Sequence, residues 1–198
     1  MTRWNEFYVT DTRIPSVPPS QLALRAAQIF SDCGCRRILE LGCGAGRDLK
    51  PLLKAGMDVV GLDISAPGID LARSLRWEER FPALVRGDAR LLPFAPSSFD
   101  GVYSFGLLHE LTTAMRLHDV ERCMGEIRTA LRRSGYLVLS VLAGNPEDGL
   151  PHVQLFSKEM LTNATRGFSC LSLDQYSDIG CTGSNNYRIW AGIYRKGE

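Results

Sequence analysis

Three glycines at alternate positions, Gly42, Gly44 and Gly46, follow a largely apolar run in the segment ILELGCGAGRDL. Glycine weakens a strand and stands roughly 1 kcal/mol below alanine inside a helix. Its concentration where a strand gives way to a helix therefore needs a reason other than stability. Without side chains a ligand can approach the backbone, and the helix that follows offers N–H groups with no intrahelical partner. Asp63 ends the next apolar run, MDVVGLDIS, and a carboxylate at that strand tip can accept both hydroxyls of a ribose. Together these features describe room for a nucleoside. The dinucleotide fingerprint G-x-G-x-x-G would place a glycine at position 47. That position holds Arg47 and the third glycine comes one residue early, which argues against a nicotinamide dehydrogenase.

The elements that must position these residues repeat as strand, turn and helix. RRILELGC is apolar and β-compatible, and RDLKPLLKAG follows with helical spacing and a glycine stop at Gly56. After the second strand, Ser65 caps a helix through PGIDLARSLRW, with Pro67 in its first turn. ALVRGDA gives a third strand and FDGVYSFGLL a fourth. The pattern RLHDVERCMGEIRTALRRSG predicts a long helix ending in basic residues and Gly135, and GYLVLSVLA a fifth strand. Such alternation implies parallel βαβ units in a doubly wound sheet. The tail lacks helices. CLSLDQYSDIG and NNYRIWAGIYRK read as an antiparallel hairpin closing one sheet edge, joined by a loop of Cys, Thr, Gly, Ser and Asn. No internal repeat or low-complexity tract interrupts the chain. The Pro-rich IPSVPPSQ separates an N-terminal arm from the first helix, LALRAAQIF.

At 198 residues the chain is long enough for one domain to be stable without metal or disulfide. Its 23 Lys and Arg balance 22 Asp and Glu, which gives no sign of the basic face that nucleic-acid binding uses. Cys33, Cys35, Cys43, Cys123, Cys170 and Cys181 read as reduced and mostly structural. Cys33-x-Cys35 does not match zinc-ligand spacing, and His118 and His152 have no evident metal partners, so no metal is expected. The start, MTRWNEFYVTDTR, has no apolar signal region, and no apolar run is long enough to span a bilayer. A cytoplasmic protein with no membrane contact is expected.

The order Glu40-x-Gly42-x-Gly44-x-Gly46 resembles motif I of class I S-adenosylmethionine-dependent methyltransferases. RGDARLLPFAPSSFDGVYS resembles their next two motifs, GLLHEL the segment after the fourth strand, and LRRSGYLVLS the turn into the fifth. The resemblance covers about residues 36 to 142, and four motifs in the correct order make it specific. It implies a Rossmann-like α/β fold: a doubly wound seven-stranded sheet, mostly parallel, with an antiparallel C-terminal hairpin strand. It also implies S-adenosyl-L-methionine as cofactor, with Asp63 at the ribose, Asp88 at the adenine and Glu40 organising the turn and the methionine amine. Arg47 would begin the helix near the methionine carboxylate. Gly42, Cys43, Gly44, Gly46, Ile64, Ala89 and Phe105 complete the implied cofactor set. Arg47 and the hairpin-like ending also look loosely like the tellurite-resistance and thiopurine group of small-molecule enzymes.

Residues 1–198 are thus expected to form a single methyltransferase domain. Its parts would be an N-terminal arm at 1–20 over the active site, a cofactor-binding core at 36–142, and a substrate loop with the hairpin at 143–198. No universal catalytic residue belongs to methyl transfer, because the cofactor supplies the leaving group. His109, just after the fourth strand, and Tyr8 are the candidates for a base. The plainer reading of His109 is packing against cofactor or backbone. Trp4, Phe7 and Tyr8 either pack the arm or line a substrate pocket. The expected partner is a small-molecule methyl acceptor, with the protein a monomer or homodimer. Two alternatives stand beside this: a protein or nucleic-acid methyltransferase, and a non-catalytic S-adenosylmethionine-binding protein. Against nucleic acid, SFGLLHE replaces the Asn/Asp-Pro-Pro-aromatic motif of amino-methylating enzymes, and no Pro-Cys nucleophile is present.

Overall fold

Residue patterning along the strands sets the architecture. In β1 (Arg37–Leu41), Ile38 joins the core on one face of the sheet while Leu39 and Leu41 join the core on the other. A strand buried on both faces belongs in the middle of a layered α/β sheet. The computed structural model describes residues 3–10, 17–78, 80–111, 117–148, 153–180 and 186–197. β1 there pairs in parallel with β2 (Asp58–Asp63) on one side and β4 (Phe99–Phe105) on the other. β3 (Ala83–Arg86) extends the sheet beyond β2, and β5 (Leu131–Leu142) beyond β4. β7 (Asn186–Lys196) lies between β5 and β6 (Phe168–Ile179), antiparallel to both, giving the order β3-β2-β1-β4-β5-β7-β6. The hairpin therefore closes one edge of a seven-stranded, mostly parallel sheet. The chain reverses its direction of travel across the sheet between β1 and β4, which places the topological switch point at their carboxyl ends.

One face is covered by α2 (Gln21–Asp32), α3 (Leu49–Lys54) and α4 (Ala66–Ser74), through Leu22, Phe30, Leu52 and Ile69. The other is covered by α6 (Leu117–Ala130) and α7 (Lys158–Ala164), through Cys123, Ile127 and Leu161. α1 (Arg3–Thr10) buries none of its residues fully and packs on α4, and α5 (Leu108–Leu111) is a single turn after β4. Ser20 and Ser65 cap α2 and α4, accepting from the N–H groups of Ala23 and Gly68.

Three local expectations are corrected. The long helix does not run to Gly135: α6 stops at Ala130 because Leu131 already pairs with Phe99. A register shift follows, with Ser134 at φ 57°, before Tyr136 pairs with Gly101. Lys196 bonds the freed carbonyls of Arg128 and Leu131, supplying the C-terminal partner that the basic run was expected to provide. Arg47 does not begin a helix but stands in the turn before α3, whose N-cap is Asp48. The helices α1 and α7 were not foreseen. Of the sequence expectations, the hairpin loop at 181–185 with Cys181, His152 and residues 14–16 of the Pro-rich segment lie outside the described residues.

Candidate functional site

The turn after β1 is built from its glycines. Gly42, Gly44 and Gly46 take φ of 75°, 50° and 83°, backbone that residues with a Cβ rarely adopt. Gly44 has a second reason to lack a side chain, since the Tyr8 hydroxyl occupies the space a Cβ would fill. The turn is tied to β2 by Gly42 and Cys43 N–H groups donating to the Leu62 carbonyl. Asp63 completes the tie. Its Oδ2 accepts from Gly44 N–H and its Oδ1 from Ser65 N–H, both at 2.8 Å. Burial raises the Asp63 carboxyl above its ordinary value, and the three backbone N–H groups around it oppose that shift.

Asp48 anchors the far end of the turn. Its carboxylate makes no cap bond to α3 because it is fully used elsewhere. It accepts from Ser20 N–H, the Ser20 hydroxyl and the Tyr103 hydroxyl, and from both Nε and Nη2 of Arg47. Arg47 Nη1 then donates to the carbonyls of Ile179 and Gly180, and the guanidinium lies 4.9 Å from the Phe105 ring centroid. Asp178 next door accepts from the first N–H groups of α2, those of Gln21 and Leu22. One buried polar network thus joins the glycine turn, α2, β4 and the end of β6.

These elements enclose a cavity of about 560 Å³ at the carboxyl ends of β1, β2, β4 and β5. Of the candidate residues, Glu40, Gly42, Cys43, Arg47, Asp63, Ile64, Asp88, Ala89, Phe105, His109 and Tyr8 line it. Gly44 and Gly46 sit in the turn behind the lining. Trp4 and Phe7 of α1 line the cavity beside Tyr8.

Glu40 is almost fully buried, and its Oε2 has no hydrogen-bond partner among the described residues. Burial, reinforced by Asp48, pushes its carboxyl well above the usual range. Asp88 behaves oppositely. Arg90 grips it through Nε and Nη2 and holds its carboxyl below the ordinary value. Cys43 is buried, which keeps it a thiol.

His109 is buried and its pKa is pushed down to about 3 by desolvation. Its Nδ1 accepts from the Leu142 N–H at 3.3 Å, which assigns the proton to Nε2. At neutral pH it is an uncharged group whose accepting nitrogen is engaged by backbone, an arrangement that favours positioning over proton removal. The described cysteines Cys33, Cys35, Cys43, Cys123 and Cys170 are free. No group among the described residues could hold a metal ion, and no described helix is long and apolar enough to cross a membrane.

Sequence reasoning missed Asp48, Ser20 and Tyr103 as the anchors of the turn, and Arg3 and Ser140 as part of the cavity wall. The cap position of Ser20 before an apolar run was a readable signal. Nothing in GRDL indicates that Asp48 reaches across to β4. Ser140 ends up buried at the lip of β5, its hydroxyl without a partner among the described residues.

The family described as a methyltransferase domain matches residues 39–139, just over half of the chain. A demethylmenaquinone methyltransferase of Renibacterium salmoninarum is 32 % identical over 106 residues, covering 53 % of this chain and 40 % of that protein. The 18S rRNA (guanine-N(7))-methyltransferase bud23 of Schizosaccharomyces pombe is 30 % identical over 143 residues, covering 67 % of this chain and 50 % of that one. The chain therefore spans half or less of the length of these relatives. Among solved structures, the Burkholderia thailandensis 1,6-didemethyltoxoflavin-N1-methyltransferase, with 1,6-didemethyltoxoflavin and S-adenosylhomocysteine bound, superposes with a TM-score of 0.68. It is 20 % identical over 98 % of this chain and 82 % of that one, a likeness that establishes the fold. By its strand order and by the match across the parallel core, the chain belongs to the methyltransferase domain family, the S-adenosylmethionine-dependent enzymes of class I.

Proposed function

We propose that this protein transfers a methyl group from S-adenosylmethionine to a small-molecule acceptor in the cytoplasm. The observation that carries the reading is the polar wall of the cavity. A buried carboxylate oxygen of Glu40, without a partner among the described residues, and the carboxylate of Asp63 flank a glycine turn at the switch point of the sheet. These residues fit the cofactor. Asp63 would hold the ribose and Asp88 the adenine, with Ile64 and Ala89 beside them. Glu40 would face the amine, and Arg47 the carboxylate in addition to its present partners. When bound, S-adenosylmethionine supplies a methyl group on a sulfonium sulfur. The chain must align the acceptor and exclude water, and α1 would form that cover as the N-terminal arm of a single domain. No base is assigned, since burial makes His109 a weak base and its Nδ1 is bonded to backbone.

A cavity of about 560 Å³ suits the cofactor with a compact acceptor, within the roughly 300–1,000 Å³ usual for small-molecule sites. The near balance of charge also favours a small molecule over RNA. A second reading, methylation of RNA, rests on the likeness to the rRNA enzyme of Schizosaccharomyces pombe. Labelled S-adenosylmethionine offered with thiols, metalloids, phenols, amines and short RNAs decides between them. Label in RNA alone would overturn the small-molecule reading, and calorimetric preference for NAD would overturn the whole assignment.

Two further results are expected at this site. Arg47→Ala should weaken S-adenosylhomocysteine at least about tenfold more than methylthioadenosine, which lacks the carboxylate; tenfold is about 1.4 kcal/mol. Equal losses would restrict Arg47 to holding Asp48 and the end of β6. The second concerns protons. Because burial raises the Glu40 carboxyl, the free protein keeps a proton there over an interval above the usual carboxyl range. Pairing with an ammonium group expels that proton, so affinity should rise with pH across the interval. Calorimetry in buffers of different ionisation heat reads the release. Asp63 is raised in the same sense, so Glu40→Gln discriminates: it should abolish most of the release, and an unchanged release would shift the effect to Asp63.

A further inference from the structure

One wall of the cavity already holds a cation, one that belongs to the chain itself. Arg3 Nη1 lies 3.4 Å from Glu110 Oε2, and the same guanidinium stands 5.9 Å from the Trp4 ring centroid. The two partners differ sharply in exposure. The Arg3 side chain is 56 % exposed, whereas that of Glu110, on the turn after β4, is 12 % exposed. Trp4 is held by its neighbours, with the Phe7 ring at 5.2 Å edge-on and the Tyr8 ring at 6.0 Å. A carboxylate set back from solvent beside an aromatic face is the chemistry that recognises organic cations.

We propose that the cavity recognises its methyl acceptor through an organic cation, held between the Trp4 ring and the Glu110 carboxylate, with Arg3 occupying that position in its absence. This rests on the methyl-transfer reading. Arg3 suits the part of a stand-in. It projects from a helix with no fully buried residue, and an ion pair with one exposed partner contributes little, so a ligand displaces it readily. The other charged groups on this side are less apt. Asp148 is exposed and accepts from Asn145, and Arg188 is exposed. His109, the neighbour of Glu110, is neutral and does not compete for the carboxylate. Burial raises the Glu110 carboxyl, and the Arg3 cation beside it opposes that shift.

The test uses the full chain loaded with S-adenosylhomocysteine and titrated in a calorimeter with benzamidinium, benzoate and benzyl alcohol, which share one ring. Benzamidinium should bind and the other two should not. Arg3→Ala should tighten benzamidinium at least about threefold by vacating the position, and Glu110→Gln should weaken it at least about tenfold. Equal affinity in wild type and Glu110→Gln overturns the proposal. So does tighter binding of benzoate, or no benzamidinium binding to either wild type or Arg3→Ala. S-adenosylhomocysteine affinity, measured first on each variant, reports a folded site. Normal affinity there with failure of benzamidinium overturns this inference alone, whereas no affinity in wild type overturns the methyl-transfer reading itself.

Discussion

Replacing Asp63 with alanine should weaken S-adenosylhomocysteine binding by at least about a hundredfold, roughly 2.7 kcal/mol. Two losses combine. On the proposed assignment, loss of the carboxylate would leave the ribose hydroxyls without a charged acceptor, and charge-assisted bonds of this kind contribute about 1.5–3 kcal/mol each. It also leaves the buried N–H groups of Gly44 and Ser65 without the oxygens that hold them at 2.8 Å. The turn is then free to relax away from β2, so the mutant should also melt at lower temperature. Asp63→Asn separates the two effects. Its single amide oxygen can serve one of the N–H groups, while its NH2 opposes the other. It should therefore lose affinity with the alanine mutant while recovering part of the stability. Calorimetry with S-adenosylhomocysteine and a thermal melt read the two quantities independently. An unchanged dissociation constant in a folded Asp63→Ala protein would remove Asp63 from the site.

The second large effect is expected from the first helix. Deleting residues 1–16, which stops short of the buried Val17, should leave the sheet and its two cores folded, since α1 buries no residue fully. S-adenosylhomocysteine should still bind. Methyl transfer should fall at least about tenfold, about 1.4 kcal/mol of barrier. The reason lies in Tyr8, which packs over Gly44 and Gly68, and in Trp4 and Phe7, which wall the cavity beside it. Without them the cavity opens to solvent and loses its aromatic face. Full activity in the truncated protein, on whichever acceptor the panel identifies, would show that the cavity needs no cover.

The parts of this molecule that were legible in the sequence are those written locally. β1, the glycine turn and Asp63 could be read because positive φ and a strand-tip carboxylate leave residue-type signatures within a few positions. Ser65 was readable for the same reason, as a cap beside Pro67. What could not be read depends on partners far along the chain. The end of α6 was misplaced because Leu131 pairs with Phe99, and no helix-stop signal marks that pairing. Arg47 was expected at a helix start facing a carboxylate. The placement of its guanidinium on Asp48 and on the carbonyls of Ile179 and Gly180 is tertiary information. Glu110 lay in the quoted GLLHEL segment, yet its significance appears only when Arg3 arrives beside it.

The tie from Arg47 to the end of β6 has a consequence for the order in which a nascent chain can finish its parts. The glycine turn lies early in the chain, and all five parallel strands are complete by Leu142. The carbonyls that hold Arg47 belong to residues 179 and 180, and the carboxylate that caps α2 to residue 178. During synthesis from the N-terminus the early elements emerge first, but these bonds cannot form until the hairpin has left the ribosome. The cradle is thus framed early and fastened late. A chain halted before Asp178 would hold every residue of the family core while lacking the clasp that fixes the turn in place.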